Sequence, residues 1–266
     1  MCLILFGWRA HGRFPLIVAA NRDEFYARSS TTASFWDEAP DVLAGRDRQG
    51  GGTWLGVTRT GRVAAVTNYR DPSSFKEHAP SRGALVSEYL RSRENPETFI
   101  ARIKPLAHQF NGFSLLLADA GCLVTFSNRG ESVRPEPGIH GMSNHLLDTP
   151  WPKVAEGKHE LAELLATGAD PSPEPLLALL ASRSRPPDER LPDTGVGREW
   201  ERVLAPRFIA SPHYGTRCST VLLIDQEGNA TFVERAFDTA AEPWLTSRFD
   251  FRIGGTAERG KTGCSP

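Results

Sequence analysis

The amino-acid sequence predicts an α+β fold, a four-layer αββα sandwich in which helices cover the outer faces of two mainly antiparallel sheets. Three observations carry this. Short apolar runs come in pairs joined by Gly-containing turns, the pattern of β-hairpins. Hairpin pairs alternate with helix pairs, and no strand–helix–strand alternation is present to build a parallel sheet. Finally, both strands of most hairpins are apolar throughout, so each sheet needs cover on two faces.

The first hairpin joins the near-continuous apolar run Cys2–Trp8 to a second run, Phe14–Ala20, through Arg9-Ala10-His11-Gly12-Arg13. The second joins Thr53–Thr58 to Arg62–Asn68 across Arg59-Thr60-Gly61. Helices follow over Gly83–Arg93 and Pro96–Ile103, each opened by Pro or Gly and apolar at helical spacing. A third hairpin joins Phe113–Asp119 to Cys122–Asn128. Helices are then expected over Pro150–Thr167 and Pro173–Ser184, with Asp148 or Thr149 placed to cap the first. The Pro-, Asp- and Gly-rich stretch Arg185–Gly197 reads as a loop. A last hairpin joins Thr216–Asp225 to Ala230–Phe237. No linker divides the chain, which is read as one domain over residues 1–250 with a flexible tail over 251–266.

Bulk properties exclude several function classes. A formal net charge of −1 over 266 residues, with no basic stripe, argues against a nucleic-acid partner. No apolar run reaches the roughly 20 residues of a membrane span. The opening Met1–Phe6 lacks the basic leader and small-residue cleavage site of a signal peptide, so a cytoplasmic protein is expected. The four cysteines, Cys2, Cys122, Cys218 and Cys264, contain no C-x-x-C pair, so no metal site is expected from them. In a reducing compartment disulfides are not expected either. Cys122 and Cys218 read as small buried hydrophobes.

Cys2 is the most informative position. Removal of the initiator methionine before a small residue would leave a cysteine whose thiol and α-amine share one framework. Their ordinary pKa values, about 8.5 and about 7.7–8.0, are nearly matched. Such a residue carries nucleophile and general base together. Polar groups gather where strands end: Asn21-Arg22-Asp23-Glu24 after the second strand, Asn68-Tyr69-Arg70 after the fourth, Ser143-Asn144-His145 before a helix, and Tyr214-Gly215-Thr216-Arg217 at the start of the last hairpin. Taken singly these are a solvated turn, a helix cap or a snorkelling arginine.

Further segments include Gly51-Gly52-Thr53-Trp54-Leu55-Gly56-Val57, Asn111-Gly112-Phe113 and Leu147-Asp148-Thr149-Pro150-Trp151-Pro152-Lys153. With these the chain resembles the NRDE family, also called the transport-and-Golgi-organisation family, from Met1 to about Phe237. The resemblance implies the N-terminal-nucleophile hydrolase fold and, more distantly, similarity to penicillin V acylase and bile-salt hydrolase. It implies Cys2 as nucleophile, Asn68 and Asn144 on the oxyanion side and Arg217 as the late arginine. The Arg-x-x-Asp motif of those enzymes would fall on Asn21 and Glu24, a departure from the pattern. Asn21, Asn68, Asn144 and Arg217 are expected to converge on Cys2, with Arg22, Asp23, Glu24, Trp54, Tyr69 and His145 binding ligand.

The family is associated with haem trafficking and with acyl-lipid or acyl-CoA handling. The expected partner is therefore a small hydrophobic or amide ligand, with haem a candidate for transport and no resident cofactor marked by any spacing. Candidate haem ligands are Cys2, His140, Met142, His145 and His213. The preferred expectation is a hydrolase-derived pocket around a hydrophobic ligand, with little general amidase activity. Aromatic residues near the site (Trp8, Phe25, Trp54, Tyr69 and Trp151) motivate it. The alternative is a cysteine amidohydrolase cleaving a non-peptide C–N bond. A papain-like pairing of Cys122 with His140 is a third and weaker reading.

Overall fold

The computed structural model describes residues 2–238 and 242–254. In chain order the strands begin with β1 (Cys2–Trp8), β2 (Leu16–Phe25), β3 (Ser30–Trp36), β4 (Ala39–Asp47), β5 (Leu55–Thr58) and β6 (Val63–Asn68). Helices α1 (Arg82–Arg91) and α2 (Pro96–Ile103) precede β7 (Phe113–Ala118), β8 (Leu123–Ser127) and β9 (Gly138–Met142). Then come α3 (Pro152–Ala166), α4 (Pro173–Leu180), α5 (Arg198–Leu204), β10 (Tyr214–Ile224), β11 (Asn229–Ala236) and β12 (Leu245–Arg252). They form two six-stranded sheets, ordered β12-β11-β10-β2-β1-β9 and β3-β4-β5-β6-β7-β8, and neighbouring strands are antiparallel.

Alternation along each strand builds the layers. On β1, Ile4 and Phe6 face the second sheet and pack with Val18, Leu43, Leu55, Leu116 and Leu222. Leu3 and Leu5 face outward, against Val154 and Leu161 of α3 and the leucines of α4. The second sheet repeats the arrangement: Val66, Leu115 and Leu117 lie under Val86 and Tyr89 of α1 and Phe99 and Ile100 of α2. The result is helix–sheet–sheet–helix, as the hairpin pattern required. Asn95 caps α2 by accepting from the Thr98 N–H, which fixes its start at Pro96.

The hairpins and long helices lie where the sequence places them. Strands β3, β4, β9 and β12 and the seven-residue α5 were not expected. Three of these strands, β3, β9 and β12, form sheet edges. An edge strand has less to bury, and its residues alternate in exposure or include glycine, so its apolar signal is weak. Residues 251–266, expected as a tail, lie outside the described residues from 255 onward, and Phe251 and Arg252 close β12. The polar stretch after Ala20 is strand rather than turn: β2 continues to Phe25 because β10 pairs with it along its whole length.

The expected cap of α3 is not formed. Trp151 occupies that position without a side-chain bond. The Asp148 carboxylate instead accepts from the Gly141 N–H and from Lys158 and binds His140. Cys122 lies buried under α1 and α2. It is disulfide-bonded, against the expectation of free thiols. Among the described residues no helix is long and apolar enough to cross a membrane.

Candidate active site

Cys2 opens β1, and the ladder pairs it directly with Arg22 of β2. Cross-strand partners project to the same face, so thiol and guanidinium both turn toward the gap between the sheets. There they line a cleft of about 510 Å³, walled by the end of β2, the 47–54 turn, the end of β6 and the segment entering α1. Burial pushes the Cys2 thiol above its ordinary range, with the Asp23 carboxyl adding to it, while Arg22 and a bond from the Asp23 backbone pull it down. Burial prevails, so the thiol is held protonated until a base takes its proton.

The surroundings of Arg22 are built for a guanidinium. The side chain is 4% exposed, lies 4.5 Å over the Trp54 ring and reaches 3.6 Å from Asp47. Its Nη1 is buried and has no hydrogen-bond partner among the described residues. Asp47 is strongly engaged elsewhere, accepting from Arg28 at 2.7 Å and from the Gln49 and Gly50 N–H groups. Burial would raise its carboxyl, but the Gly50 N–H and Arg28 outweigh that and hold it below the usual range. Behind this turn Gly52 and Gly83 meet backbone to backbone. A Cβ on Gly52 would lie 2.3 Å from the Gly83 carbonyl carbon, so the cleft wall requires glycine there.

The two candidate oxyanion residues differ. Asn68 lines the cleft, and its side-chain amide makes no hydrogen bond among the described residues. Asn144 is fully buried and left-handed, with φ 57°, a region asparagine tolerates better than most residues. Its Nδ2 donates to the Asn68 carbonyl at 3.1 Å and its Oδ1 accepts from Arg70 at 3.3 Å. Neighbouring Ser143 donates to the Cys2 carbonyl. Arg70 is held by Glu201 of α5 at 2.6 Å, both side chains buried. A buried polar chain thus runs from α5 to β1, and Asn144 is a fixed link in it.

Of the other predicted residues, Asn21, Arg217, Tyr69 and His145 do not line the cleft. Asn21 pairs with Leu3 and so faces the helix layer. Its amide donates to the Leu180 and Arg207 carbonyls, and its oxygen accepts from Ser219. Asp23 and Glu24 both contribute to the cleft wall. The Asp23 carboxyl accepts from Thr216 at 2.8 Å. Burial raises it, and Lys153 opposes the shift. That lysine is itself buried, and burial takes it down to about 8.

Arg217 sits at the β10 bulge and donates to the Phe25, Tyr26 and Arg28 carbonyls, clasping the loop after β2. It borders a smaller neighbouring pocket with Trp54, Cys218 and Glu234. Tyr69 and His145 bond to one another at 2.7 Å, and His145 to Thr149, outside the cleft lining. Of the haem-ligand candidates, Cys2 alone lines the cleft. Met142 is in the core, and His140 is bonded through both ring nitrogens. Cys122 precedes β8 and packs in the helix layer of the second sheet, whereas His140 is on β9 of the first, so no Cys–His pair forms. Arg28, Asp47 and Arg82 belong to the site without having been singled out, because no local pattern ties them to Cys2.

The chain matches the family model described as Transport and Golgi organisation 2 over residues 1–239. It is 36% identical over 276 residues to the Transport and Golgi organization protein 2 homolog of Bos taurus, covering 95% of this chain and 99% of that protein. Identity to the Homo sapiens homolog is 34%, with the same shares covered. To the Drosophila melanogaster protein it is 27%, covering 91% of this chain and 94% of that one. Among solved structures, conjugated bile acid hydrolase from Clostridium perfringens superposes with a TM-score of 0.46 at 9% identity, covering 98% of this chain and 100% of that one.

Proposed function

Because the chain belongs to the Transport and Golgi organisation 2 family, whose relatives it matches along nearly their whole length, we propose that the cleft is the family's working site and that Cys2 is its nucleophile toward an acyl group. One observation carries the reading: Cys2 and Asn68, a thiol and an asparagine amide unengaged among the described residues, line one cleft large enough for a small molecule.

In this reading Met1 is removed and the freed Cys2 amine takes the thiol proton. The thiolate attacks the carbonyl carbon of an amide or ester, forming a C–S bond, while Asn68 donates to the developing oxyanion. The tetrahedral intermediate collapses, the C–N or C–O bond breaks, and the leaving group departs with the proton from the amine. Water then cleaves the thioester, returning the thiol and releasing a carboxylic acid. Asn144 acts as a positioning residue, since its amide already holds the Asn68 carbonyl. The raised thiol supports the need for a nearby base.

A second reading is a carrier that holds a hydrophobic ligand without turning it over. It is favoured by Phe75, which lines the same cleft and is 71% exposed. The charged groups along the wall support the first reading better, because they would have to be desolvated under an apolar ligand.

The test is incubation with short- and long-chain p-nitrophenyl esters and N-acyl amino acids, following product release and intact mass. Turnover, with an acyl adduct on Cys2 that is lost in Cys2→Ala, is expected. Saturable binding of long-chain probes, without adduct or turnover and unchanged in Cys2→Ala, would establish the carrier instead.

A further inference from the structure

Two arginines in the cleft have guanidinium capacity left over: Arg22 has only a 3.6 Å contact to Asp47, and Arg82 has no carboxylate beside it among the described residues. Arg22 is buried, with Nη1 unpartnered among the described residues, and it shares Asp47 with Arg28, which holds that carboxylate more closely. Arg82 stands on the facing wall as the first residue of α1. Among the described residues no carboxylate lies within ion-pair distance of it, and its hydrogen bond goes to the Gly112 carbonyl at 3.1 Å. It is half-buried, and burial depresses its pKa, with Cys2 and Glu24 close enough to act on it electrostatically.

The ten-residue α1 also directs its N-terminal end here. Ser81, Arg82 and Gly83 line the cleft, and no side chain caps the first turn. The Ala84 N–H is taken by the Ser81 carbonyl, and the helix start adds the positive end of its dipole.

The acids on the walls do not fill this role. Asp47 is held by Arg28 and two backbone N–H groups. Glu24 accepts from the Phe25 N–H and lies 3.8 Å from Arg28. The Asp23 carboxyl is bonded to Thr216, and Glu77 is exposed.

We propose that Arg22, Arg82 and the first turn of α1 form an anion subsite beside Cys2, which receives a carboxylate or phosphate carried by the ligand. This deepens the reading of the cleft as an acyl site: the acyl compound is held by an anionic group on one side of its reacting carbonyl. A guanidinium suits either oxyanion through paired N–H donors, and partial burial strengthens the contact.

The test separates this subsite from the nucleophile. Titration calorimetry with inorganic phosphate and, separately, glutarate is run on wild type, Arg82→Gln, Arg82→Lys and Arg22→Gln, each checked by circular dichroism. Saturable binding of at least one anion is expected, weakened at least tenfold in Arg82→Gln and partly kept in Arg82→Lys. The arm that binds more tightly identifies phosphate or carboxylate.

In parallel, Cys2 is alkylated with neutral iodoacetamide and with anionic iodoacetate. A saturable preference for iodoacetate, removed by phosphate and by Arg82→Gln, is expected. Absence of binding by both anions, or equal binding in Arg82→Gln, overturns the subsite. Normal iodoacetamide reactivity without an iodoacetate preference also overturns it, while leaving the nucleophile reading standing.

Discussion

Arg22 lies directly across the β1–β2 ladder from Cys2, so the group that would settle a thiolate is fixed by strand register and not by a flexible loop. The electrostatics of the thiol follow from that pairing. Burial raises Cys2, and Arg22 is one of the groups lowering it. Alkylation of Cys2 by iodoacetamide is therefore expected to be slow at neutral pH and to rise only above the ordinary thiol range. In Arg22→Gln the profile should move further upward. Rates measured from pH 6 to about 11 check this, and a neutral-pH rate equal to that of free cysteine would contradict it.

Asn21 is expected to matter for stability. Its side chain satisfies two carbonyls and a serine hydroxyl between β2 and the outer layer. Asn21→Ala leaves those groups buried and unpaired, at a cost of about 1–3 kcal/mol. Chemical denaturation should show the lower midpoint, while iodoacetamide reactivity of folded Cys2 stays close to wild type.

The Arg70–Glu201 pair is expected to couple α5 to the site. Removing one partner of a buried ion pair costs about 3–5 kcal/mol, so Glu201→Gln should lower stability by that order. Because Arg70 also holds Asn144, the same change should alter Cys2 reactivity. A Glu201→Gln protein with unchanged stability and unchanged alkylation would remove this network from the account.

His140 and Asp148 give a pH signature. The bond to Asp148 raises His140 from its ordinary 6.5 even though burial and Lys158 oppose it. A raised histidine contributes fully below about pH 6.5 and loses that contribution as pH climbs through the higher folded value. For Asp148, burial is outweighed by His140 and Lys158, so its carboxyl is lowered and its contribution fades as pH falls from about 3.8. The Tm difference between wild type and His140→Gln should therefore be larger at pH 5.5 than at pH 8.5.

Gly52 and Gly83 allow the two cleft walls to touch. Gly52→Ala places a methyl against backbone that cannot rotate away, and overpacking of this kind costs about 1–3 kcal/mol. The expected result is a lower Tm together with a change in anion affinity, since the displaced segment carries Arg82.

The sandwich is legible in the sequence, because alternating hairpins and helix pairs with apolar strands leave few other ways to cover both sheet faces. The sequence also marked Cys2, Arg22 and Asn68, which lie on or beside the ends of strongly apolar strands. Its periodicity was too weak for β3, β9 and β12, edge strands with little to bury.

How the marked residues divide depends on strand register. A one-residue step along β2 turns Arg22 toward the thiol and Asn21 away from it, and that parity is visible only once the register with β1 is set. Which other residues belong to the site depends on tertiary packing. Arg28, Asp47 and Arg82 come from separate segments, and Glu201 reaches Asn144 only through Arg70. Such contacts depend on long-range packing of the two sheets and α5, and no local spacing encodes them.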